Sequence, residues 1–244
     1  MTFEPHIVRL PSVGSTSTEV MRLAREGAPS GTVVWADTQT EGRGRRERLW
    51  SSPPGNLYLS VLVRSELPLA LSGRLSVGAA VFLARLINSE YGVDIRTKWP
   101  NDVRLGGGKL GGILVEAGPL REGTPEWYVV GCGLNVATAP EELGIPTASL
   151  AQAGVQATPD DLVGPVVQAI REASRTASDE SAWGELRASW PETDDAVGPV
   201  TVTCGDKTYQ ADGIGLDTDG SLIIEREGAR WTIQSAEVSI ITDP

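Results

Sequence analysis

The hydrophobic pattern of the chain changes at residues 194–199, and this change constrains the fold more than any other feature. Before it, long helical periodicities alternate with short apolar runs, whereas after it only short alternating segments remain. The predicted strand cores of this last part are Val200–Val202, Tyr209–Ala211, Leu222–Ile224, Trp231–Ile233 and Val238–Ile240. Five short strands separated by turns predict a small SH3-like β-barrel. The sequence therefore predicts two domains, residues 1–195 and 198–244.

The longer first part mixes helices with strands. A short strand is predicted at Ile7–Leu10, followed by a helix that a capping box of Thr16 and Glu19 begins and Gly27 ends. The apolar run Asn56–Val63 predicts a strand covered on both faces, and Pro68 begins a long helix. Further strands are predicted at 32–36, 93–98, 101–105, 109–117 and 126–136, and further helices at 158–176 and 179–190.

Composition excludes several classes of function. A net charge of -11 argues against general affinity for nucleic acid or anionic lipid, so a positive site must be local. The single histidine, His6, argues against a histidine triad or a zinc site, and no metal ligands are identified. Two cysteines outside any CxxC pattern, and no signal peptide or long apolar run, predict a cytoplasmic protein.

An arginine-rich loop is the strongest chemical signal. Four arginines alternate with glycines in the segment Gly42–Arg48, inside a chain that is otherwise acidic. Glycines allow backbone N–H groups to approach a ligand, and the planar guanidinium suits phosphate oxygens. The segment is suited to wrapping a polyphosphate or an acyl phosphate, although a solvated basic loop would look the same.

Three further segments carry polar groups at strand ends or glycines inside strands. Lys98–Asp102 reads KWPND at a junction between two predicted strands, where a turn with an Asx hydrogen bond is the alternative interpretation. Lys109 precedes Gly111 and Gly112, and the segment Gly131–Asn135 reads GCGLN. Glycine is unfavourable within a strand unless something approaches the backbone closely, and strand crowding is the alternative.

Together, the order and spacing of these four segments resemble the biotin protein ligases. The resemblance extends from about residue 7 to the C-terminus. It implies an α+β fold with a mixed sheet and flanking helices, similar to the class II synthetases, followed by the small barrel. It also implies a monofunctional ligase that uses ATP and Mg²⁺ to activate biotin as biotinyl-5′-AMP. The biotin is then transferred to a lysine of a biotin carboxyl carrier domain.

The resemblance also implies a role for each matching residue. The biotin-binding positions are Ser15, Thr16, Ser17, Gln39, Arg43, Gly44, Arg45 and Lys109. The ATP- or adenylate-binding positions are Arg43, Arg45, Arg46, Arg48, Trp50, Asn101, Lys109 and Asn135. Lys109, Arg45 and Asp102 are the catalytic candidates, Asp102 being the acid beside the acceptor lysine. Two positions depart from the family pattern: Ser17 replaces an asparagine, and Glu47 replaces a loop glycine and could pair with Arg43 or Arg48.

Three other functions compete with this interpretation. A lipoate or octanoate ligase shares the fold and the acyl chemistry, but KWPND beside GRGRR favours biotin. A DNA-binding biotin sensor is disfavoured by the net charge and by a ligase pattern that begins within the first ten residues. A catalytically silent biotin-binding module would not need Lys109, Asp102 and the arginines. A homodimer is left open, and we expect residues 40–50 and 137–148 to order over the ligands.

Overall fold

A seven-stranded mixed sheet forms the centre of the computed structural model, which describes residues 3–140, 144–234 and 237–240. The first nine strands are β1 (His6–Leu10), β2 (Thr32–Ala36), β3 (Leu57–Val63), β4 (Ile95–Lys98), β5 (Asp102–Leu105), β6 (Gly108–Ala117), β7 (Leu120–Arg121), β8 (Thr124–Pro125) and β9 (Tyr128–Leu134). The order in the sheet is β1-β2-β3-β9-β6-β5-β4, with β1 and β2 parallel and the other pairs antiparallel. The predicted mixed sheet is thus confirmed, while the short hairpin β7–β8 was not predicted.

Helices cover both faces of this sheet. Their bounds are α1 (Thr16–Arg25), α2 (Gly73–Tyr91), α3 (Pro159–Ala177) and α4 (Glu180–Ser189). The main core lies between the sheet and the pair α2 and α3, and α1 packs on the opposite face through Val20 and Ala24. All seven residues of β3 are buried, as the continuous apolar run predicted.

The predicted start of α1 was wrong. Ser15, in extended conformation, is the N-cap, and Thr16 is already helical. No side-chain hydrogen bond caps this end, and Glu19 pairs with Arg22 instead. The Thr16 hydroxyl has other partners, Gln39 and Ser60, so it is unavailable for a capping box. The start of α3, by contrast, does have a capping box, formed by Thr158 and Asp161.

The long helix α2 is preceded by a 3₁₀ turn at Leu69–Leu71, so Pro68 begins a helical segment in two parts. By length and composition alone, the segment Leu69–Tyr91 could cross a membrane, which the sequence analysis did not foresee. Its apolar side chains are buried in the protein: Leu75, Ala79 and Leu83 belong to the main core. Such burial is typical of a core helix.

The last five strands form a second, antiparallel sheet, which we call the terminal sheet. They are β10 (Gly198–Cys204), β11 (Lys207–Leu216), β12 (Leu222–Arg226), β13 (Ala229–Ile233) and β14 (Glu237–Ile240). The order is β13-β12-β11-β10-β14, as expected for five short strands joined by turns. A second hydrophobic cluster fills the space between this sheet, α2 and α4, and includes Trp99, Trp183 and Trp190. The indole N–H of Trp99 donates to the carbonyl oxygen of Gly220 at 2.9 Å.

Candidate functional site

A cavity of about 370 Å³ opens beside strands β3, β9, β6 and β5. It brings together most of the residues that the sequence singled out. From those positions its lining contains Ser15, Thr16, Ser17, Gln39, Arg43, Gly44, Arg45, Arg46, Arg48, Trp50, Asn101, Asp102 and Lys109. The chain therefore collects the arginine loop, the KWPND segment and the start of α1 around one space.

Hydroxyl and amide groups make up one side of this lining. The backbone N–H and hydroxyl of Thr16 both donate to Oε1 of Gln39, at 2.9 and 3.1 Å. Ser60 shares hydrogen bonds with the hydroxyls of Thr16 and Ser17, at 2.8 and 3.0 Å. Nε2 of Gln39 donates to the hydroxyl of Ser52 at 3.1 Å. The network fixes these side chains in place, and their hydrogen-bond donors and acceptors line the cavity.

Ser60 is a site residue that the sequence analysis missed. It is fully buried in β3 and hydrogen-bonds the hydroxyls of both Thr16 and Ser17. The available signal was a single serine within a largely apolar run. A buried polar side chain needs a hydrogen-bond partner, so one serine in a wholly buried strand indicates a polar contact nearby.

Two glycines of β9 leave room for site residues. A Cβ at Gly133 would lie 2.5 Å from Cε2 of Trp50, and a Cβ at Gly131 would lie 2.9 Å from the hydroxyl of Ser17. The Trp50 indole therefore packs directly on the strand backbone. This close approach is what glycines inside an apolar strand had indicated.

Lysine and carboxylate meet at the other side of the lining. Nζ of Lys109 donates to Oδ1 of Asp102 at 2.6 Å, with both side chains about one-fifth exposed. Nζ also lies 5.5 Å from the centre of the Trp50 ring. A register shift between β5 and β6 accompanies this pair, since Val103 pairs with Gly111 but Arg104 pairs with Lys109. The cation is therefore held on the cavity wall, next to an aromatic surface.

The KWPND segment is fixed to β6 by Asn101. Its Nδ2 donates to the carbonyl of Ile113 at 2.9 Å, and the Ile113 N–H donates to the carbonyl of Asn101 at 2.9 Å. Oδ1 of Asn101 accepts a 3.5 Å hydrogen bond from Arg45. Burial and the neighbouring Arg46 lower the pKa of Arg45. An arginine remains charged under any physiological condition, so Arg45 contributes a positive charge to the cavity wall.

Lys98, Ile145 and Val238 also line the cavity and were not among the predicted site residues. Burial lowers the pKa of Lys98, and Asp102 opposes that shift. The only available signal for Lys98 was its place in KWPND. Val238 belongs to β14, so the terminal sheet contributes directly to the site. No local sequence signal could have indicated that tertiary contact.

The arginine loop is tied to the sheet and carries backbone strain. Arg43 donates to the Glu116 carboxylate at 3.0 Å and to the Thr18 hydroxyl at 2.7 Å. The described partners of Arg43 are thus Glu116 and Thr18, and a pair of Glu47 with Arg43 or Arg48 stays a prediction. Arg46 and Glu47 have φ of 55° and 59°. Glu47 thus adopts a left-handed conformation at the position where the family pattern has glycine.

Asn135 lies outside the main cavity, in an adjoining cleft with Trp50, Pro140 and Thr147. Its Nδ2 donates to the carbonyl oxygen of Ala148 at 3.0 Å, and Leu150 N–H donates to its backbone carbonyl. Since Nδ2 also donates to the carbonyl oxygen of Lys109 at 3.3 Å, the side chain links the end of the loop that follows β9 to β6. Residues 141–143 of that loop fall outside the described part of the chain.

The site has no metal cluster or thiolate of its own in the described ranges. No group of three His, Cys, Asp or Glu side chains there could hold a metal ion, and Asp102 is the one carboxylate among the described residues that line the cavity. Burial raises the pKa of Cys132 to about 12, so this cavity-lining thiol stays protonated and is a poor nucleophile. The lysine and arginine side chains that line the cavity are suited to stabilising the negative charge of anionic reactants.

Comparison with known proteins agrees with this arrangement. Residues 10–135 match the model of the biotin/lipoate A/B protein ligase family. The chain is 31% identical to the bifunctional ligase/repressor BirA of Escherichia coli K12, covering 95% of this chain and 73% of BirA. It is 30% identical to the biotin–[acetyl-CoA-carboxylase] ligase of Paracoccus denitrificans, covering 94% and 98%. The biotin protein ligase of Aquifex aeolicus in complex with biotin and ATP superimposes with a TM-score of 0.79 at 27% identity, covering 96% of this chain and 97% of that chain.

Proposed function

The chain belongs to the biotin/lipoate A/B protein ligase family, and we infer that it activates biotin with ATP and attaches it to a lysine of a carboxylase. The observation that carries this function is the convergence of Lys109, Arg45 and Asp102 on one cavity. The same cavity has a hydroxyl and amide network built from Thr16 and Gln39. All five residues lie within the segment that matches the family.

In the first step, the biotin carboxylate attacks the α-phosphorus of ATP, giving biotinyl-5′-AMP and pyrophosphate. Two anions must approach each other, so their repulsion has to be offset by fixed cations. Lys109 and Arg45 supply this charge on the cavity wall. To reach the reacting oxygens, Lys109 exchanges its 2.6 Å contact with Asp102 for a contact with substrate.

In the second step, the ε-amine of the acceptor lysine attacks the mixed anhydride and displaces AMP. A lysine of ordinary pKa is neutral in only about one molecule in 2,500 at pH 7, a population term of roughly 4 to 5 kcal/mol. A carboxylate beside the amine therefore helps by orienting it and taking up its proton. Once Lys109 has turned to the phosphate, Asp102 is available for this role.

The substrate contacts of individual residues are part of the proposal. Ser15, Thr16, Ser17 and Gln39 hold the ureido ring of biotin, since their hydrogen-bonding groups line the cavity, and Ser60 supports them. Arg43, Gly44 and Arg45 close over the carboxylate and the phosphates. The adenylate-binding set is Arg43, Arg45, Arg46, Arg48, Trp50, Asn101, Lys109 and Asn135, with Trp50 packing beside the adenylate and Asn135 near the adenine.

Mg²⁺ would enter with the nucleotide as part of the substrate. Magnesium prefers oxygen ligands and commonly combines one or two protein donors with phosphate oxygens. The side chains of Asp102 and Asn101 are the oxygen donors that would hold it, and they fit such a shared site better than an all-protein cage. The ion would neutralise charge on the phosphates.

The test is streptavidin detection of a biotin carboxyl carrier domain incubated with the protein, biotin and ATP. The matched control is a carrier domain whose acceptor lysine is replaced by arginine, which keeps the charge but removes the nucleophile. Labelling that requires ATP and the acceptor lysine is expected. No labelling of an intact carrier domain, together with no consumption of ATP, would overturn the function.

The same assay separates the alternative functions. Lipoate and octanoate offered in place of biotin should give no modified carrier domain, whereas a lipoate or octanoate ligase would transfer them. A silent biotin-binding module would bind biotin without releasing pyrophosphate. No observation favours either alternative, and the cavity retains every charged group that the chemistry requires.

Organisation and partners complete the proposal. We expect a domain boundary at residues 195–198 and closure of the terminal sheet as an SH3-like barrel. We also expect a cytoplasmic location, and neither nucleic-acid nor membrane partners. A homodimer remains a prediction: β1 is an edge strand whose Ile7 and Val8 are 52% and 43% exposed. Sedimentation of the protein with and without biotin and ATP would measure its oligomeric state.

A further inference from the structure

We propose that Asp194 is a positioning residue of the ligase reaction, which holds the KWPND segment so that Asn101 and Asp102 face the cavity. The inference rests on the proposed function and extends it to a residue outside the arginine loop and the sheet. Asp194 lies between α4 and β10, in the segment that joins the two parts of the chain. It is not itself in the cavity lining.

The Asp194 carboxylate has three hydrogen-bond donors. Its Oδ1 accepts from the backbone N–H of Trp99 at 3.1 Å and from that of Ala196 at 2.8 Å. Its Oδ2 accepts from the hydroxyl of Thr97 at 2.7 Å. This one buried side chain, 2% exposed, thus connects the linker to Thr97, just before the KWPND segment, and to Trp99 within it. Such a contact fixes the direction in which the chain leaves β4.

The backbone around Asp194 strengthens this contact. The N–H of Thr97 donates to the carbonyl of Thr193, and the N–H of Asp195 donates to the carbonyl of Thr97. Thr97 and Asp194 therefore form a parallel bridge beside β4. The linker acts as a short additional strand at that edge of the sheet, with the Asp194 side chain pointing into the protein toward Trp99.

Other contacts hold the same segment, so loss of Asp194 should displace it without unfolding the sheet. The Ser76 hydroxyl donates to the carbonyl of Pro100 at 3.0 Å, and the Trp99 indole is held by Gly220. Neither contact restrains the Trp99 N–H. Without Asp194, that buried N–H would lack its acceptor, and the peptide would have to turn toward another one. Asn101 and Asp102 follow within three residues and would turn with it.

A burial penalty opposes this carboxylate. Burial raises the pKa of Asp194 to about 6, although its three hydrogen bonds act in the other direction. Asp195 raises it further, and Asp194 in turn opposes the lowered pKa of Lys98. An apolar residue would be easier to bury at this place. The side chain is therefore better explained by what its oxygens hold than by its contribution to packing.

The experiment compares Asp194→Ala with Asp194→Asn in the full chain. Asparagine keeps Oδ1 for both N–H groups, and its Nδ2 can donate to the Thr97 hydroxyl. Asp195→Asn is the matched control, because it removes a neighbouring carboxylate of the same linker. In the described part of the chain, the Asp195 carboxylate accepts hydrogen bonds from the side chains of Arg96 and Arg104. The measurements are single-turnover transfer from preformed biotinyl-5′-AMP to a carrier domain, biotin-dependent pyrophosphate release, and the folded fraction by circular dichroism.

We expect Asp194→Ala to lower the transfer rate at least tenfold while the protein stays folded at the assay temperature. The KM for the carrier domain should change by less than threefold, and Asp194→Asn and Asp195→Asn should stay within threefold of the unmodified chain. Transfer by Asp194→Ala at the unmodified rate would overturn the proposal, as would an equal loss in Asp194→Asn. Because the unmodified chain is measured in parallel, its own failure to transfer biotin would instead indicate that the proposed function is wrong.

If Asp194→Ala does not fold, Asp194→Ser takes its place, since its hydroxyl keeps a polar group at the buried position but is too short to reach Trp99 N–H. Amide hydrogen exchange then supplies the second readout. Exchange at Trp99 should accelerate at least tenfold in Asp194→Ser, while amides of β3 keep their protection. Unchanged exchange at Trp99 would contradict the proposed contact. Failure of both variants to fold would show a folding role and overturn the positioning role.

Discussion

At the scale of single residues, two of the cations that line the cavity form ion pairs with carboxylates. Lys109 pairs with Asp102, and Arg43 pairs with Glu116. Partly buried charges are costly when they are unpaired, so these pairs keep the site folded before the substrates arrive. In the proposed reaction, substrate anions would replace the carboxylates as partners of these two cations.

Removing the lysine cation should stop the first step. Lys109→Ala is expected to lower biotin-dependent pyrophosphate release at least 100-fold, because a charge that stabilises the transition state within a partly dry site is lost. Lys207→Ala, which removes an exposed lysine from the terminal sheet, is the matched control and should release pyrophosphate normally. Wild-type-like release by Lys109→Ala would remove this residue from the mechanism.

A methyl group on β9 should disturb adenylate binding. Gly133→Ala would place a Cβ 2.5 Å from the Trp50 ring, so the indole must leave its place on the strand. The KM for ATP is expected to rise at least tenfold in steady-state pyrophosphate assays, with a smaller change in the KM for biotin. Gly164→Ala, at an exposed position of α3 where a Cβ meets nothing within 4 Å, is the control. Equal kinetics in the two variants would contradict the role assigned to Trp50.

At the scale of elements, periodicity and capping predicted most of the fold. The buried strand β3, the helix α3 and the five short C-terminal strands were all predicted from local patterns. The start of α1 was not, because Thr16 uses its hydroxyl for a tertiary contact with Ser60 in place of a cap. Long-range partners of this kind follow from packing, which no local pattern encodes.

The arginine loop should become resistant to protease when substrates bind. The loop contains two residues of positive φ and four arginines. Trypsin can cleave after each of these arginines once the loop opens. Biotin with ATP should slow cleavage within residues 40–50 by at least fivefold, because the loop then closes over the intermediate. Cleavage after Arg230, whose side chain is 73% exposed on β13, is the internal control. Equal cleavage rates with and without substrates would contradict closure of the loop.

At the scale of the whole molecule, one helix joins the two hydrophobic clusters. Leu75, Ala79 and Leu83 of α2 face the main core, whereas Val77 and Val81 face the cluster under the terminal sheet. The candidate cavity lies where both parts contribute, since Val238 of β14 and Trp50 of the arginine loop line the same space. The family resemblance predicted many residues of that cavity but not Ser60, Lys98 or Val238, and the packing of α2 explains how the terminal sheet reaches it.

The joint between these two parts should make stability depend on pH. The pKa of Asp194 is raised from 3.8 to about 6 by burial, so the folded protein binds its proton more tightly than the unfolded chain does. The stabilising effect of protonation is fully present below the unfolded pKa and is lost as the pH rises through about 6. Over the whole window this loss is about 3 kcal/mol in the free energy of unfolding, and roughly half of it falls between pH 5 and pH 7.5.

Asp194→Asn removes that titration and keeps the hydrogen bonds. Its free energy of unfolding, measured in urea, should therefore rise relative to that of the unmodified chain by about 1 kcal/mol between pH 5 and pH 7.5. Asp195→Asn serves as the control, since its carboxylate is not fully buried and pairs with Arg96 and Arg104. A constant difference between Asp194→Asn and the unmodified chain across this range would mean that Asp194 does not titrate there. If Asp194→Asn gains stability and still transfers biotin at the unmodified rate, the carboxylate is needed for its hydrogen bonds and not for its charge.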